Sequence, residues 1–127
     1  MEKEKAYLFL RVPDRSTPKA VIRNMVTELE QYASQEHEVL KTVVKVGHTR
    51  FSSDAVDPEL LKNLKESGCQ TLIVRSFSVL STSDAELRKL YKMLDEEGIR
   101  CKSMTHQSDL CSYLYHQNVY QGLLQYE

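Results

Sequence analysis

The sequence predicts an α/β domain: a mostly parallel sheet of four or slightly more strands, helices on both faces, and a further helix at the C-terminal end. Short apolar, β-branched runs alternate with longer runs of helical spacing along the whole chain. Turn and cap residues fall between these runs, at Pro13, Thr17-Pro18, Asp57-Pro58, Gly68, Ser83 and Gly98. No linker, repeat or low-complexity tract interrupts the order. Such alternation is what helical crossovers between parallel strands produce.

The first strand is the apolar run from Ala6 to Leu10, continuing through Arg11-Val12 and stopped by Pro13, which has no N–H for a further ladder bond. Thr17 then reads as a helix cap and Pro18 as the first helical residue. Val21, Ile22, Met25, Val26, Leu29 and Tyr32 form the apolar face of that helix, which runs to about Ser34. Glu38 to Val46 is β-branched and reads as the second strand. Gly47 to Val56 has no period and reads as a loop. Asp57 caps a short helix carrying Leu60, Leu61 and Leu64 and ending at Gly68.

Gln70 to Ser76 is the third strand, followed by a serine-rich turn. Ser83-Asp84-Ala85-Glu86 is a capping box, and Leu87, Leu90, Tyr91 and Leu94 line the inner face of its helix, with Gly98 just past its end. Ile99 to Met104 is the fourth strand. Ser108 to Tyr126 reads as a helix, with Leu110, Leu114, Val119, Leu123 and Leu124 among four tyrosines. The 127 residues therefore make one domain, with a core at 5–105 and a C-terminal helix at 108–126.

Composition narrows the function classes. The net charge is −1, from 17 basic and 18 acidic residues, so overall charge directs the chain neither to nucleic acid nor to a membrane surface. No apolar run approaches the ~20 residues of a membrane span, and the segment after Met-Glu-Lys-Glu-Lys is too short for a signal peptide. Cys69, Cys101 and Cys111 show no C-x-x-C spacing and read as reduced thiols of a cytoplasmic protein. The four histidines are scattered, so neither a metal nor another cofactor is expected. No glycine precedes Gly47, which excludes a dinucleotide or P-loop turn after the first strand. Arg75, Ser76 and Phe77 stand where a phosphoacceptor aspartate would end the third strand.

One resemblance spans about residues 5 to 105. Tyr7-Leu8-Phe9-Leu10-Arg11-Val12, then a helix, a second strand and a serine-containing loop, Leu60-Leu61 through Gly68, Thr71-Leu72-Ile73-Val74 before Phe77-Ser78-Val79-Leu80, and a helix ending Glu96-Glu97-Gly98-Ile99 together resemble the catalytic domain of the serine recombinases, the resolvases and DNA invertases. The resemblance lies in element order, lengths and apolar pattern. It implies a serine nucleophile after the first strand that attacks a DNA phosphodiester, and arginines that hold the phosphate. This sequence departs from that pattern. Pro13 stands at the nucleophile position, and Ser78, Val79 and Thr82 stand for the aspartate and two arginines after the third strand. Ala55 or a neighbour replaces the loop arginine, and Ile22 the first-helix glutamine. Only Arg11 is kept. Phosphoryl transfer needs an oriented nucleophile and fixed positive charge, so the expectation is a non-enzyme with no catalytic residue, acting as an interaction or oligomerisation module.

Two groups of residues carry the remaining expectations. Arg11, Arg15, Ser16, Thr17, Lys19, Arg23 and Arg50 would form a residual patch for DNA or another anion near the carboxyl edge of the sheet, although Arg15, Lys19 and Arg23 also read as a plain solvated helix face and Arg50 as loop surface. Within it Ser16 and Thr17 read either as turn and cap residues or as a relocated nucleophile. Leu110, Tyr113, Leu114, Tyr120, Leu123 and Leu124 either pack the last helix back onto its own sheet or cover a second copy or a protein partner, since that helix is apolar around much of its circumference. A working recombinase continues into a separate DNA-binding domain, and none is expected after Glu127.

Overall fold

The structure is a computed structural model and describes residues 3–12, 16–46, 58–81, 83–105 and 108–115. In chain order the elements are β1 (Glu4–Val12), α1 (Lys19–Ser34), β2 (His37–Val46), α2 (Pro58–Ser67), β3 (Thr71–Val74), a 3-10 turn (Phe77–Val79), α3 (Asp84–Glu96), β4 (Arg100–Ser103) and β5 (Ser108–Asp109). Residues 110–115 are helical. The strand order is β2-β1-β3-β4-β5, parallel throughout except that β5 runs antiparallel to β4.

Strand geometry sends alternate side chains of β1 to opposite faces, and both faces are covered. Ala6, Leu8 and Leu10 join Ile73 under α1, where Leu29 and Ala33 are buried. Tyr7 and Phe9 join Leu72 and Val74 on the other face, with Leu60 and Leu64 of α2 and Leu87, Leu90 and Leu94 of α3. This is why β1 reads as an unbroken apolar run rather than an alternating one. Burial of each of its large side chains stabilises the fold by about 1.5–3 kcal/mol. In the β1–β2 ladder, Ala6 pairs with Val39 and Tyr7 with Lys41, so Leu40 is an extra residue in β2.

Several local expectations are corrected. Pro18, not Thr17, holds the cap position of α1: its φ of −58° and ψ of 140° are extended rather than helical, and its carbonyl accepts from the N–H groups of Val21 and Ile22 at 3.0 and 3.2 Å. β3 ends at Val74, and the two residues after it are held by different bonds. The Arg75 carbonyl accepts from the Thr105 N–H at 2.9 Å, and the Ser76 hydroxyl accepts from the Ser78 N–H at 3.4 Å to cap the 3-10 turn.

Ser108 and Asp109, expected as helix, pair with Ser103 and Lys102 of β4 as β5. The helix starts only after them, with the Asp109 carboxylate accepting from the Ser112 N–H at 2.8 Å. Half of the expected capping box of α3 is formed, the Ser83 hydroxyl accepting from the Glu86 N–H at 3.3 Å, while the Ser83 N–H donates to the Ser81 hydroxyl rather than to Glu86. The expected loop at 47–56, the Asp57 cap and the tyrosine-rich end after Tyr115 lie outside the described residues. Among the described residues, no helix is long and apolar enough to cross a membrane.

Candidate functional site at the carboxyl edge of the sheet

β1, β3 and β4 end side by side, and the polar residues that follow them meet there. Arg11 is the last residue of β1 on the face of Tyr7 and Phe9. Its guanidinium lies 5.6 Å from the centre of the Phe9 ring, and its Nε donates to the Val79 carbonyl at 3.1 Å. A half-buried cation is thus fixed between the first strand and the 3-10 turn that follows the third. A hydrogen bond from a charged donor is among the stronger ones, so this contact orients the guanidinium at the edge.

The turn itself is rich in hydroxyls. Those of Ser76 and Ser78 are 3.1 Å apart, and the buried Ser81 hydroxyl accepts from the Ser83 N–H at 3.0 Å. From the next strand, the Ser103 hydroxyl donates to the Arg75 carbonyl at 3.2 Å, and the Thr105 hydroxyl donates to the same oxygen. With the Thr105 N–H, three donors converge on one backbone acceptor and tie the end of β3 to the end of β4. On the α1 side, the Arg75 guanidinium lies 3.7 Å from the Glu28 carboxylate.

The structure brings together only part of the expected anion patch. Arg11 is at the edge as expected. Ser16 is exposed and Thr17 half-buried between β1 and α1. Lys19 and Arg23 are exposed on α1, the helix that covers the sheet face opposite Arg11. Pro13, Arg15 and Arg50 lie outside the described residues. Sequence reasoning missed Arg75, Ser103 and Thr105. Their only signal is position, at or just past the carboxyl ends of β3 and β4.

Three residues of the expected interface, Leu110, Tyr113 and Leu114, pack inside the chain. Leu110 and Leu114 are 1% and 6% exposed and belong to the core on the α2–α3 face. Tyr113 packs on Phe77, with ring centres 4.9 Å apart and planes at 48°. These three residues are therefore core residues here, because the helix from 110 folds back onto the sheet. Tyr120, Leu123 and Leu124 lie outside the described residues. Among the described residues, no group of three or more His, Cys, Asp or Glu side chains is placed to hold a metal ion. What the edge offers chemically is a fixed guanidinium, serine and threonine hydroxyls and a polar turn, a set suited to a phosphate ester.

By sequence, comparison with protein-family models and with curated proteins yields no match. By structure, the chain is similar to the N-terminal catalytic domain of TP901-1 integrase, at 18% identity and a TM-score of 0.70 over 96% of this chain and 99% of that one. It is also similar to a resolvase family site-specific recombinase from Streptococcus pneumoniae, at 12% identity and a TM-score of 0.68 over 97% and 95% of the two chains. The C-terminal catalytic domain of ISC1926 TnpA, an IS607-like serine recombinase, aligns at 14% identity with a TM-score of 0.62 over 78% and 69%. The fold is that of these recombinase domains. The expectation of a non-enzyme is corrected by the same finding: two of the three are described as catalytic domains, and the third as a site-specific recombinase. Pro13, Ala55 and Thr82, on which that expectation largely rested, lie outside the described residues, so the geometry shows no loss of activity.

Proposed function

We propose, from a fold shared with serine-recombinase catalytic domains, that this chain belongs to that family and acts in site-specific recombination of DNA. The observation that carries the reading is the anchored Arg11, a guanidinium held at the carboxyl edge where β1, β3 and β4 end together. In this reading Arg11 faces a DNA phosphate. An attacking hydroxyl comes from the turn after β1, where Ser16 is exposed. Its oxygen attacks phosphorus, a DNA oxygen leaves with the proton, and the phosphodiester energy is kept in a serine–DNA ester.

The experiment is to incubate the chain with supercoiled and short duplex DNA, denature, and search for a covalent protein–DNA adduct, mapping the attached residue by mass spectrometry. The expected result is an adduct on Ser16 that is lost in Ser16→Ala and formed about a hundredfold or more slowly in Arg11→Ala, the scale of a lost charge-stabilising donor. An adduct that persists in Ser16→Ala moves the nucleophile elsewhere. No adduct with the wild-type chain on either DNA form overturns the catalytic reading.

A further inference from the structure

β2 is the outermost strand of the sheet and, among the described residues, pairs only with β1. It runs ten residues, His37–Val46. A strand in that position turns half of its backbone N–H and C=O groups outward, where they can be joined by another strand. Two of the four large apolar side chains exposed among the described residues, Leu40 at 39% and Val46 at 46%, also lie on this strand.

The strand's own sequence narrows what it can pair with. Val39 and Val44 both pack on the face under α1, whereas Val43 packs on the α2–α3 face. An odd-numbered and an even-numbered residue share a face because the extra residue, Leu40, stands between them. Two copies of β2 joined antiparallel about a two-fold axis must set like faces side by side. With the axis at Thr42, Thr42 meets its own copy, Lys41 meets Val43, Val39 meets Val44, Glu38 meets Lys45 and His37 meets Val46. Every residue of the strand except Leu40 is used, and the symmetry makes the Glu38–Lys45 pair twice.

Neighbouring registers fail on charge. An axis at Val43 sets Lys41 against Lys45, and an axis at Lys41 sets that lysine against its own copy. Opposite charges directly across a strand pair stabilise it, and like charges destabilise it. Registers centred farther out use half of the strand or less. A bulge and lysines are the devices that bar indiscriminate pairing at an edge, and here they leave one full-length register open. Lys45 Nζ already lies 3.3 Å from the Glu59 carboxylate of its own chain, so the register sets this cation between two carboxylates.

We infer that β2 pairs with the β2 of a second copy of this chain, antiparallel and centred on Thr42, so that two five-stranded sheets become one. The two carboxyl edges then lie at opposite ends of the joined strands. Pairing is independent of the recombination reading, and either can fail without the other.

The test is analytical ultracentrifugation of the full chain at concentrations up to about 1 mM, where the wild type is expected to form a reversible dimer. Glu38→Lys and Lys45→Glu each turn both cross-copy pairs into like-charge pairs, and each variant alone is expected to dimerise about tenfold or more weakly. Mixed in equal amounts, the two variants set opposite charges at both pairs again, and a heterodimer of wild-type affinity is expected. That recovery also shows that both variants are folded. A wild-type chain that stays monomeric, a dimer that survives either substitution unweakened, or no recovery on mixing overturns the proposal.

Discussion

Cys101 lies on β4 inside the core, and burial, with the Asp109 charge second, pushes its thiol well above the ordinary range. Burial raises the thiol of Cys69 and the phenol of Tyr7 in the same direction. The unfolded chain releases the Cys101 proton near pH 8.5, while the folded chain keeps it to higher pH. Above that point the unfolded state binds fewer protons, so stability is complete below about pH 8.5 and falls as pH rises toward the folded value. Urea midpoints measured from pH 7 to 10 are expected to decline, and to decline less steeply in Cys101→Ala. An unchanged slope in that variant would show that the thiol is not protected. At this scale the sequence was legible where a residue breaks a pattern. Arg11 is the one cation in the apolar run from Ala6 to Val12. The Arg75 carbonyl that anchors Ser103 and Thr105 was not legible, because a backbone acceptor has no side-chain signature.

Elements whose signals are local were read with nearly their true bounds. The Ser83–Glu86 box and Gly98, at a φ of 71° where glycine avoids the strain of a side chain, set both ends of α3 within a single stretch of sequence. Ser83→Ala removes the hydroxyl that accepts from the Glu86 N–H. It is expected to cost about 1 kcal/mol, read as a lower denaturation midpoint at unchanged m-value. A loss of less than a few tenths would mean that the helix end finds another acceptor. Elements defined by a neighbour were not legible. β5 is two residues long and exists only because β4 lies beside it, so Ser108 and Asp109 passed for helix. The extra Leu40 in β2 is likewise invisible without the β1 ladder, since it shows only as a shift in pairing.

For the whole molecule, alternation of apolar runs predicted the class, the layers and the faces, but the order of strands is a property of the closed sheet. That order puts β1 between β2 and β3. The pairing of β1 with β2 joins neighbouring stretches of chain, while its pairing with β3 reaches from Ala6–Phe9 to Thr71–Val74. Residues 1–67 alone contain β1, α1, β2 and α2, yet leave one edge of β1 open and Tyr7 and Phe9 without Leu72 and Val74. That fragment is expected to show no cooperative unfolding transition by circular dichroism and to bind a hydrophobic dye. A cooperative transition would mean that the first two strands and their helices suffice. The consequence concerns time as much as space. On the ribosome, the strand made first waits for its second neighbour until α1, β2 and α2 have all been made. Until Thr71–Val74 emerges, the most apolar stretch of the nascent chain carries an unpaired backbone edge that any other extended segment could take.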